Sequence, residues 1–301
     1  MDAEKKRVKK GFNLYRYYWT LIAFVVLLIV NYYSRNIKVE ALDIGLMISI
    51  VSFLFGFLVT IVFSMLLKKV SALKSVLAIE VGRLASLFLL SAYLGNKFHE
   101  IITEKIDDYT RKTLRNYKNY EVVREDVYDI HRELKLMEVK SDYQRQISTS
   151  FLYILGELQP VREQLEYLTS KKVEWPLKLS AYLLGSLLIV LLFLNRGDSF
   201  TNAIFVILST TIIFIFLIIE DYDDLRIGDY SYNISNSEQI FDLLNKERYY
   251  PENILSRVNL EKGRKYRIGF YDSSVKEEKI FLITYNPEFN SKINTLISKF
   301  K

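Results

Sequence analysis

Four carboxylates occur within five consecutive residues, directly after a long apolar segment. They are Glu220, Asp221, Asp223 and Asp224. Negative charges at the C-terminal end of a helix are unfavourable, because the helix dipole favours cations there. Calcium, which binds about six to eight oxygen ligands, would neutralise them, so the cluster is a candidate calcium site. The interpretation that the sequence favours is that the charges are solvated or paired with arginines, for which the candidates are Arg83, Arg162 and Arg226.

Other patterns that carry chemistry are missing from the sequence. The chain has no cysteine, which excludes disulfides, thiolate zinc sites and cysteine nucleophiles. Its two histidines, His99 and His131, fit structural or solvated positions, and the paired carboxylates Asp107-Asp108 and Glu125-Asp126 fit a solvated helix face. Metalloprotease, glycine-flanked serine and phosphate-loop motifs are all absent. The sequence therefore predicts a protein that is not an enzyme and that holds no cofactor, calcium excepted.

Four uncharged segments, each 17 to 24 residues long, dominate the rest of the chain. They are residues 17–34, 44–67, 179–195 and 199–219. A helix that crosses about 30 Å of hydrocarbon needs roughly 17–25 apolar residues. Tyrosines at both ends of the first segment are typical of the membrane interface. The sequence therefore predicts two transmembrane hairpins, at residues 17–67 and 179–219.

Basic residues next to these segments predict how the chain is oriented. They occupy the arm at residues 1–16, follow the second segment and precede the third. Because basic flanks stay in the cytoplasm, we expect both termini and residues 68–178 to be cytoplasmic, in an inner or plasma membrane. The net charge of +6 favours contact with anionic lipid. Nucleic-acid binding is not expected, because the sequence has no basic face with interleaved aromatics outside the flanks of these segments.

The water-facing regions have helical and then strand-like patterns. In residues 68–178 apolar residues recur at intervals of three and four residues, which predicts helices. Glu80 and Arg83 are spaced to pair on one helix face, and Pro160 is expected to end a helix. In the C-terminal region, residues 220–301, alternating apolar residues predict a β-hairpin at about 265–285, followed by a short helix from about Pro287. The fold class is thus an all-α polytopic membrane protein with four transmembrane helices, long cytoplasmic helical extensions and a small C-terminal α/β appendage.

No ionisable residue lies inside the four segments, which argues against proton-driven transport and leaves a passive pore. Symmetry in a homo-oligomer would place such a pore at the axis. The hydroxyl side chains that could line it are Ser49, Ser52, Thr60, Ser64, Ser209, Thr210 and Thr211. Alternatively, each hydroxyl bonds to its own helix or packs against a neighbour.

Three stretches carry a resemblance to a known family, namely Arg162-Glu163-Gln164-Leu165, Glu174-Trp175-Pro176 and the stretch from Asp221 to Gly228. With these, and with its order of two spans, a helical insert, two spans and a tail, the chain resembles the bestrophin-like (DUF4239) membrane proteins, distant relatives of bestrophin anion channels. The resemblance implies a pentameric anion channel with an acidic calcium clasp at Glu220, Asp221, Asp223 and Asp224. The chain departs from the pattern at Leu225-Arg226-Ile227-Gly228, where a Pro-Phe pair would precede the glycine. The aromatic neck of bestrophins is not recognisable in order, although Phe53, Phe55 and Phe57 cluster in the second span.

We therefore expect an oligomeric membrane protein that conducts inorganic ions passively, with anions favoured. The alternative is a membrane-anchored scaffold or sensor, whose cytoplasmic helices and C-terminal hairpin bind a partner protein.

Overall fold

The computed structural model describes residues 14–34, 43–116, 123–139, 141–224, 229–258, 260–272 and 277–285. The helices are α1 (Leu14–Tyr33), α2 (Ile44–Leu94), α3 (Asn96–Arg115), α4 (Arg124–Leu136), α5 (Asp142–Ser170), α6 (Trp175–Leu194), α7 (Ser199–Asp223) and α8 (Asp229–Leu243). The strands are β1 (Arg248–Pro251), β2 (Lys265–Asp272) and β3 (Glu277–Thr284), with a 3₁₀ helix at Glu252–Arg257.

The chain divides into two compact units. We call Phe12–Ser71 with Lys171–Ile227 the apolar unit, and Ala72–Ser170 with Gly228–Lys301 the helix–sheet unit. Helix α2 contributes residues to both units. The basic arm lies almost entirely outside the described residues, as do the four residues before α8 and the predicted C-terminal helix.

The apolar unit has the composition of a membrane protein. Three stretches of the described residues are long and apolar enough to cross a membrane: one in α2, one in the Asp142–Leu194 segment that ends with α6, and one in α7. The first predicted span does form a helix, α1, but its apolar stretch at Tyr18–Tyr33 is shorter than the other three. The predicted count of four spans is therefore not confirmed.

Close packing of aromatic and small residues holds the apolar unit together. Phe55 of α2 meets Phe216 of α7 edge to face, with ring centroids 6.2 Å apart. Gly185 of α6 lies against both rings, because a Cβ atom there would be 2.4 Å from Cζ of Phe216 and 2.9 Å from Cε2 of Phe55. Outward faces stay apolar, with Phe53, Leu183 and similar residues exposed. Such faces fit lipid or a neighbouring subunit.

A buried polar triad crosses the core of the helix–sheet unit. Tyr109 of α3 donates a hydrogen bond to Glu80 of α2, and Arg162 Nη1 of α5 donates to the Tyr109 hydroxyl at 2.8 Å and lies 3.7 Å from Glu80 Oε1. Burial, and then the Glu80 carboxylate, raise the pKa of Tyr109, so the hydroxyl keeps its proton. The predicted pair of Glu80 with Arg83 is wrong, since Arg83 pairs with Glu157 at 3.2 Å. A buried carboxylate is costly without a cation, and among the described residues Arg162 is the buried cation next to Glu80.

The prediction that Pro160 ends a helix is also wrong, since α5 continues from Asp142 to Ser170. Proline removes one backbone donor and disfavours helical geometry before it. On both sides of Pro160, however, α5 buries apolar side chains at helical spacing, namely Phe151, Leu155, Leu158, Val161, Leu165 and Leu168. This continuous buried face outweighs the cost of one lost hydrogen bond.

The C-terminal sheet confirms the predicted hairpin and adds a strand. Strands β2 and β3 are antiparallel, and β1 pairs with β2 in parallel, so that the order is β1-β2-β3. Parallel pairing brings Tyr249 over the backbone of Gly269, where a Cβ atom would lie 2.2 Å from the tyrosine hydroxyl. Tyr249, Tyr250 and Pro251 are buried in succession rather than alternately, which is why the sequence did not reveal β1.

Asp107 of α3 attaches the sheet to the helices of the same unit. Although expected to be solvated, Asp107 is only 1% exposed. Both of its oxygens accept hydrogen bonds from Arg267 of β2, each at 2.7 Å, and Arg111 donates a further bond at 3.2 Å. A bidentate arginine pair of this kind fixes orientation as well as position.

The triad predicts a specific pattern of stability. Arg162→Met leaves Glu80 buried without a cation, so we expect the free energy of unfolding to fall by about 3–5 kcal/mol. Arg83→Met removes an equivalent but partly exposed pair and should cost at most about 1 kcal/mol. Thermal unfolding in detergent measures both. Equal effects of the two substitutions, or no recovery in Glu80→Gln/Arg162→Met, would contradict this role of the triad.

Candidate functional site

The acidic cluster lies at the C-terminal end of α7, next to the start of α6 in the same apolar unit. Helix α6 begins at Trp175 with Pro176 in its first turn, where proline's missing N–H is not needed. Helix α7 ends at Asp223, with Asp224 as its C-cap. The two helices form an antiparallel hairpin, so the N-terminal end of one adjoins the C-terminal end of the other.

Lys178 is the cation that neutralises the cluster. Its Nζ atom lies 2.7 Å from Glu220 Oε2 and 2.9 Å from Asp223 Oδ2. Asp223 is 1% exposed as a side chain, and its second oxygen accepts a hydrogen bond from the Val173 backbone at 2.8 Å. Tyr182 donates to the other oxygen of Glu220 at 2.5 Å. Every side-chain oxygen of Glu220 and Asp223 is therefore hydrogen-bonded.

Helix dipoles explain why these charges meet. A lysine in the first turn of a helix and carboxylates in the last turn each oppose the dipole of their own helix. In the α6–α7 hairpin Lys178 and Asp223 neutralise one another, so neither charge is left facing the unfavourable dipole of its own helix. The sequence contained this signal, because Lys178 directly precedes one apolar segment and the carboxylates directly follow the next.

The other two carboxylates of the cluster do not join the same contacts. Asp224 pairs with Lys172 at 3.4 Å, at a position where Lys172 is well exposed. Asp221 is buried, but successive residues of a helix are rotated by about 100°, so it faces away from Asp223. The structure thus brings together Glu220 and Asp223 and separates Asp221 from them.

The carboxylates as arranged do not fit a divalent cation. Calcium would need several oxygens with free lone pairs, and the ammonium group of Lys178 lies between the two that converge. Across the described residues, no group of three or more histidines, cysteines or acids is placed to hold a metal ion. Arginine pairing is not seen either: Arg83 and Arg162 bind Glu157 and Glu80, and Arg226 is outside the described residues.

The hydroxyl residues on α2 share one face. Ser49, Ser52, Thr60 and Ser64 recur there together with Gly45 and Gly56, at intervals of three and four. Ser49 and Thr60 are exposed, and their hydroxyls donate to the carbonyls of Gly45 at 3.0 Å and Gly56 at 2.8 Å. Ser64 is exposed and Ser52 half-buried. We call this face, Gly45 to Ser64, the α2 stripe.

The candidate residues on α7 are spread around that helix. Ser209 is fully buried, Thr210 is half-buried and Thr211 is exposed. Thr210 and Thr211 donate to their own helix, at Val206 and Ile207. Three consecutive residues cannot line one surface of a helix, so the structure does not bring all seven candidates together.

The phenylalanines of the second span also separate. Phe55 is buried in the core of the apolar unit, whereas Phe53 and Phe57 are exposed beside the α2 stripe. Any aromatic constriction formed with other copies would therefore use Phe53 and Phe57. The histidines have no shared site: His99 Nδ1 lies 2.7 Å from the Ser91 hydroxyl, and His131 is exposed.

Comparison with solved structures identifies the fold. A single-residue variant of a bacterial bestrophin homologue from Klebsiella pneumoniae matches with a TM-score of 0.56 at 11% identity, covering 77% of this chain and 99% of that one. A second structure of a Klebsiella pneumoniae bestrophin homologue matches with a TM-score of 0.52 at 15% identity, over 78% and 99% of the two chains. A variant described as a membrane protein matches with a TM-score of 0.53 at 14% identity, over 76% and 98%.

The chain is thus similar in fold to the bacterial bestrophin homologues, and the predicted bestrophin-like architecture is confirmed. No family model and no curated protein matches the sequence, so the DUF4239 assignment is not confirmed.

Removing the Lys178 ammonium group tests the charge pairing at the cluster. Lys178→Met leaves buried Asp223 without a cation, and we expect the free energy of unfolding to fall by about 3–5 kcal/mol. The matched control, Lys172→Met, removes an exposed partner of Asp224 and should cost at most about 1 kcal/mol. Thermal unfolding is measured with and without millimolar calcium. Calcium should raise the Tm of Lys178→Met and leave the unaltered chain unchanged. A calcium-dependent Tm in the unaltered chain would instead show that the metal displaces Lys178 and would support the predicted calcium site.

Proposed function

We propose that this chain, which has a bestrophin-like fold, forms a homo-oligomeric membrane channel that conducts inorganic ions passively and favours anions. The proposal includes α1 as a fourth span, lipid contact along the outward apolar faces and a cytoplasmic location for both termini. A pentamer is the assembly that the resemblance to bestrophins implies. The observation that carries the proposal is the α2 stripe.

The stripe is unsuited to contact with lipid alone. The stripe consists of glycine, serine and threonine, whereas other exposed residues of the same helix are large and apolar, such as Leu54 and Ile61. Apolar side chains would serve equally well against lipid tails, so a row of glycine, serine and threonine points to close helix contact or to water. One chain cannot enclose a pore with one helix face, whereas rotational symmetry can set copies of the face around an axis.

The geometry of the hydroxyls limits what they can select. Ser49 and Thr60 already donate their hydrogens to carbonyls of their own helix, so only oxygen lone pairs face outward. Such oxygens assist the passage of ions and water but do not attract anions. A preference for anions must therefore come from positive charge elsewhere in the apolar unit.

The C-terminal sheet supports a second candidate function. Strand β3 lies at the edge of the sheet, and its residues Ile280 and Leu282 are exposed. An exposed edge strand with apolar side chains can pair with a strand of another protein. The scaffold function therefore remains the alternative to conduction.

Halide efflux from liposomes that contain the purified protein tests conduction. The variant Gly56→Leu adds a large side chain to the α2 stripe at an exposed position, where a Cβ atom has no neighbour within 4 Å. We expect it to reduce efflux by about tenfold or more, which corresponds to ~1.4 kcal/mol in the barrier to passage.

Gly82→Leu is the matched control. It makes the same substitution on the same helix, at a position in the helix–sheet unit where a Cβ atom is equally free of neighbours, and should leave efflux unchanged. Absence of efflux from a preparation shown to be a folded oligomer would overturn the channel proposal and favour the scaffold.

A further inference from the structure

The short loop between α6 and α7 contains a buried arginine. Arg196 is 3% exposed, and its hydrogen-bond partners in the described part of the chain are neutral groups. Its Nε atom donates to the Phe193 carbonyl at 2.9 Å, and Nη1 donates to the Ser34 hydroxyl at 2.7 Å and to Asn31 Oδ1 at 3.3 Å. The guanidinium carbon lies 3.8 Å from the ring centre of Phe193 and 5.3 Å from that of Phe205.

No carboxylate in the described residues neutralises Arg196. The adjacent Asp198 is committed to the start of α7, where it accepts hydrogen bonds from the backbone N–H groups of Phe200 and Thr201, each at 2.8 Å. The Nη2 atom of Arg196 is buried and has no hydrogen-bond partner. Burial lowers the pKa of the guanidinium, and no acidic neighbour raises it.

This arrangement differs from that of the other buried cations of the described chain. Arg162 faces Glu80, and Lys178 faces Asp223. Uncompensated charges are expensive to bury, so the exception at Arg196 points to a function of the charge itself. An arginine also stays protonated at all physiological pH values, so the positive charge of Arg196 is permanent.

A buried charge acts over a longer distance than a solvated one. Water and salt screen exposed charges within about 10 Å, whereas a charge in a low-dielectric surrounding is screened much less. Rings of arginine or lysine are one way in which pores favour anions. In a symmetric oligomer, each copy would contribute one Arg196 at the same level along the axis.

We propose that Arg196 determines the anion preference of the channel. It does so through the positive electrostatic potential that it creates around the α6–α7 loop, at one end of the apolar unit. This inference rests on the proposed function, and it names the source of the positive charge that the α2 stripe lacks. The guanidinium acts at a distance and does not bind the ion, because Nη2 is shielded from solvent. Its contacts with Ser34, Asn31 and Phe193 hold the charge in place.

The experiment measures the reversal potential of the purified protein in planar bilayers under a KCl gradient. Arg196→Gln removes the charge and retains donors for neighbouring oxygens, and should lower the chloride-to-potassium permeability ratio several-fold. Arg196→Lys keeps the charge and should stay close to the unaltered channel. Arg83→Gln, which removes a partly exposed arginine of the helix–sheet unit, should not change the ratio.

A second variant separates charge from structure. Asn31→Asp places a carboxylate within reach of Arg196 Nη1 without a change of size, so that the charge is neutralised while the arginine remains. We expect Asn31→Asp to lower the permeability ratio as Arg196→Gln does, but to raise the Tm, whereas Arg196→Gln lowers it. A structural role alone would change the Tm and not the ratio.

The two possible failures are distinguishable. If the unaltered, folded oligomer carries no current, the proposed function fails. If it conducts and both Arg196→Gln and Asn31→Asp leave the permeability ratio unchanged, only the role of Arg196 is overturned.

Discussion

The buried ion pair between Lys178 and Asp223 is the contact on which the apolar unit depends most. It joins the first turn of α6 to the last turn of α7 and satisfies charges that each helix end would otherwise disfavour. The pair fixes one end of the α6–α7 hairpin, and along the same two helices Gly185 lies close against Phe216, where a Cβ atom would be 2.4 Å from Cζ of the ring. Phe55 of α2 then packs against Phe216, so the helix that carries the α2 stripe is positioned through the same contacts.

The same pair changes how an acidic cluster after a span should be interpreted. Carboxylates in sequence suggest a metal, but only their surroundings decide whether lone pairs are available. In this chain a lysine from the neighbouring helix supplies the positive charge internally. The chain therefore shares its architecture with the bestrophin homologues while two of its acidic residues have a cation of their own.

Much of the architecture was predictable from the sequence, because it depends on local patterns. The uncharged segments placed α2, α6 and α7, and alternation placed β2 and β3. Contacts between distant residues could not be predicted in this way. Pro160 was misread because the buried face of α5 outweighs one proline, and the partner of Glu80 was misread because the choice of Arg162 over Arg83 is made by burial. The candidate site was half predictable: the acids were found, but the role of Lys178 was not. Nothing in the sequence distinguishes Arg196 from an ordinary loop arginine, since its isolation is visible only when its neighbours are known.

The contact between Asp107 and Arg267 has a consequence for the order in which the chain matures. The two residues are separated by 160 positions, with α6 and α7 between them. At about 5–20 residues per second of synthesis, Asp107 is made roughly 8–30 s before the arginine that covers it. During that interval Asp107 can pair with Arg111 of its own helix, but the bidentate contact with β2 forms only after α6 and α7 have been synthesised. Attachment of the sheet to α3 is therefore a late step in the maturation of the chain, and a polypeptide that ends before β2 lacks it.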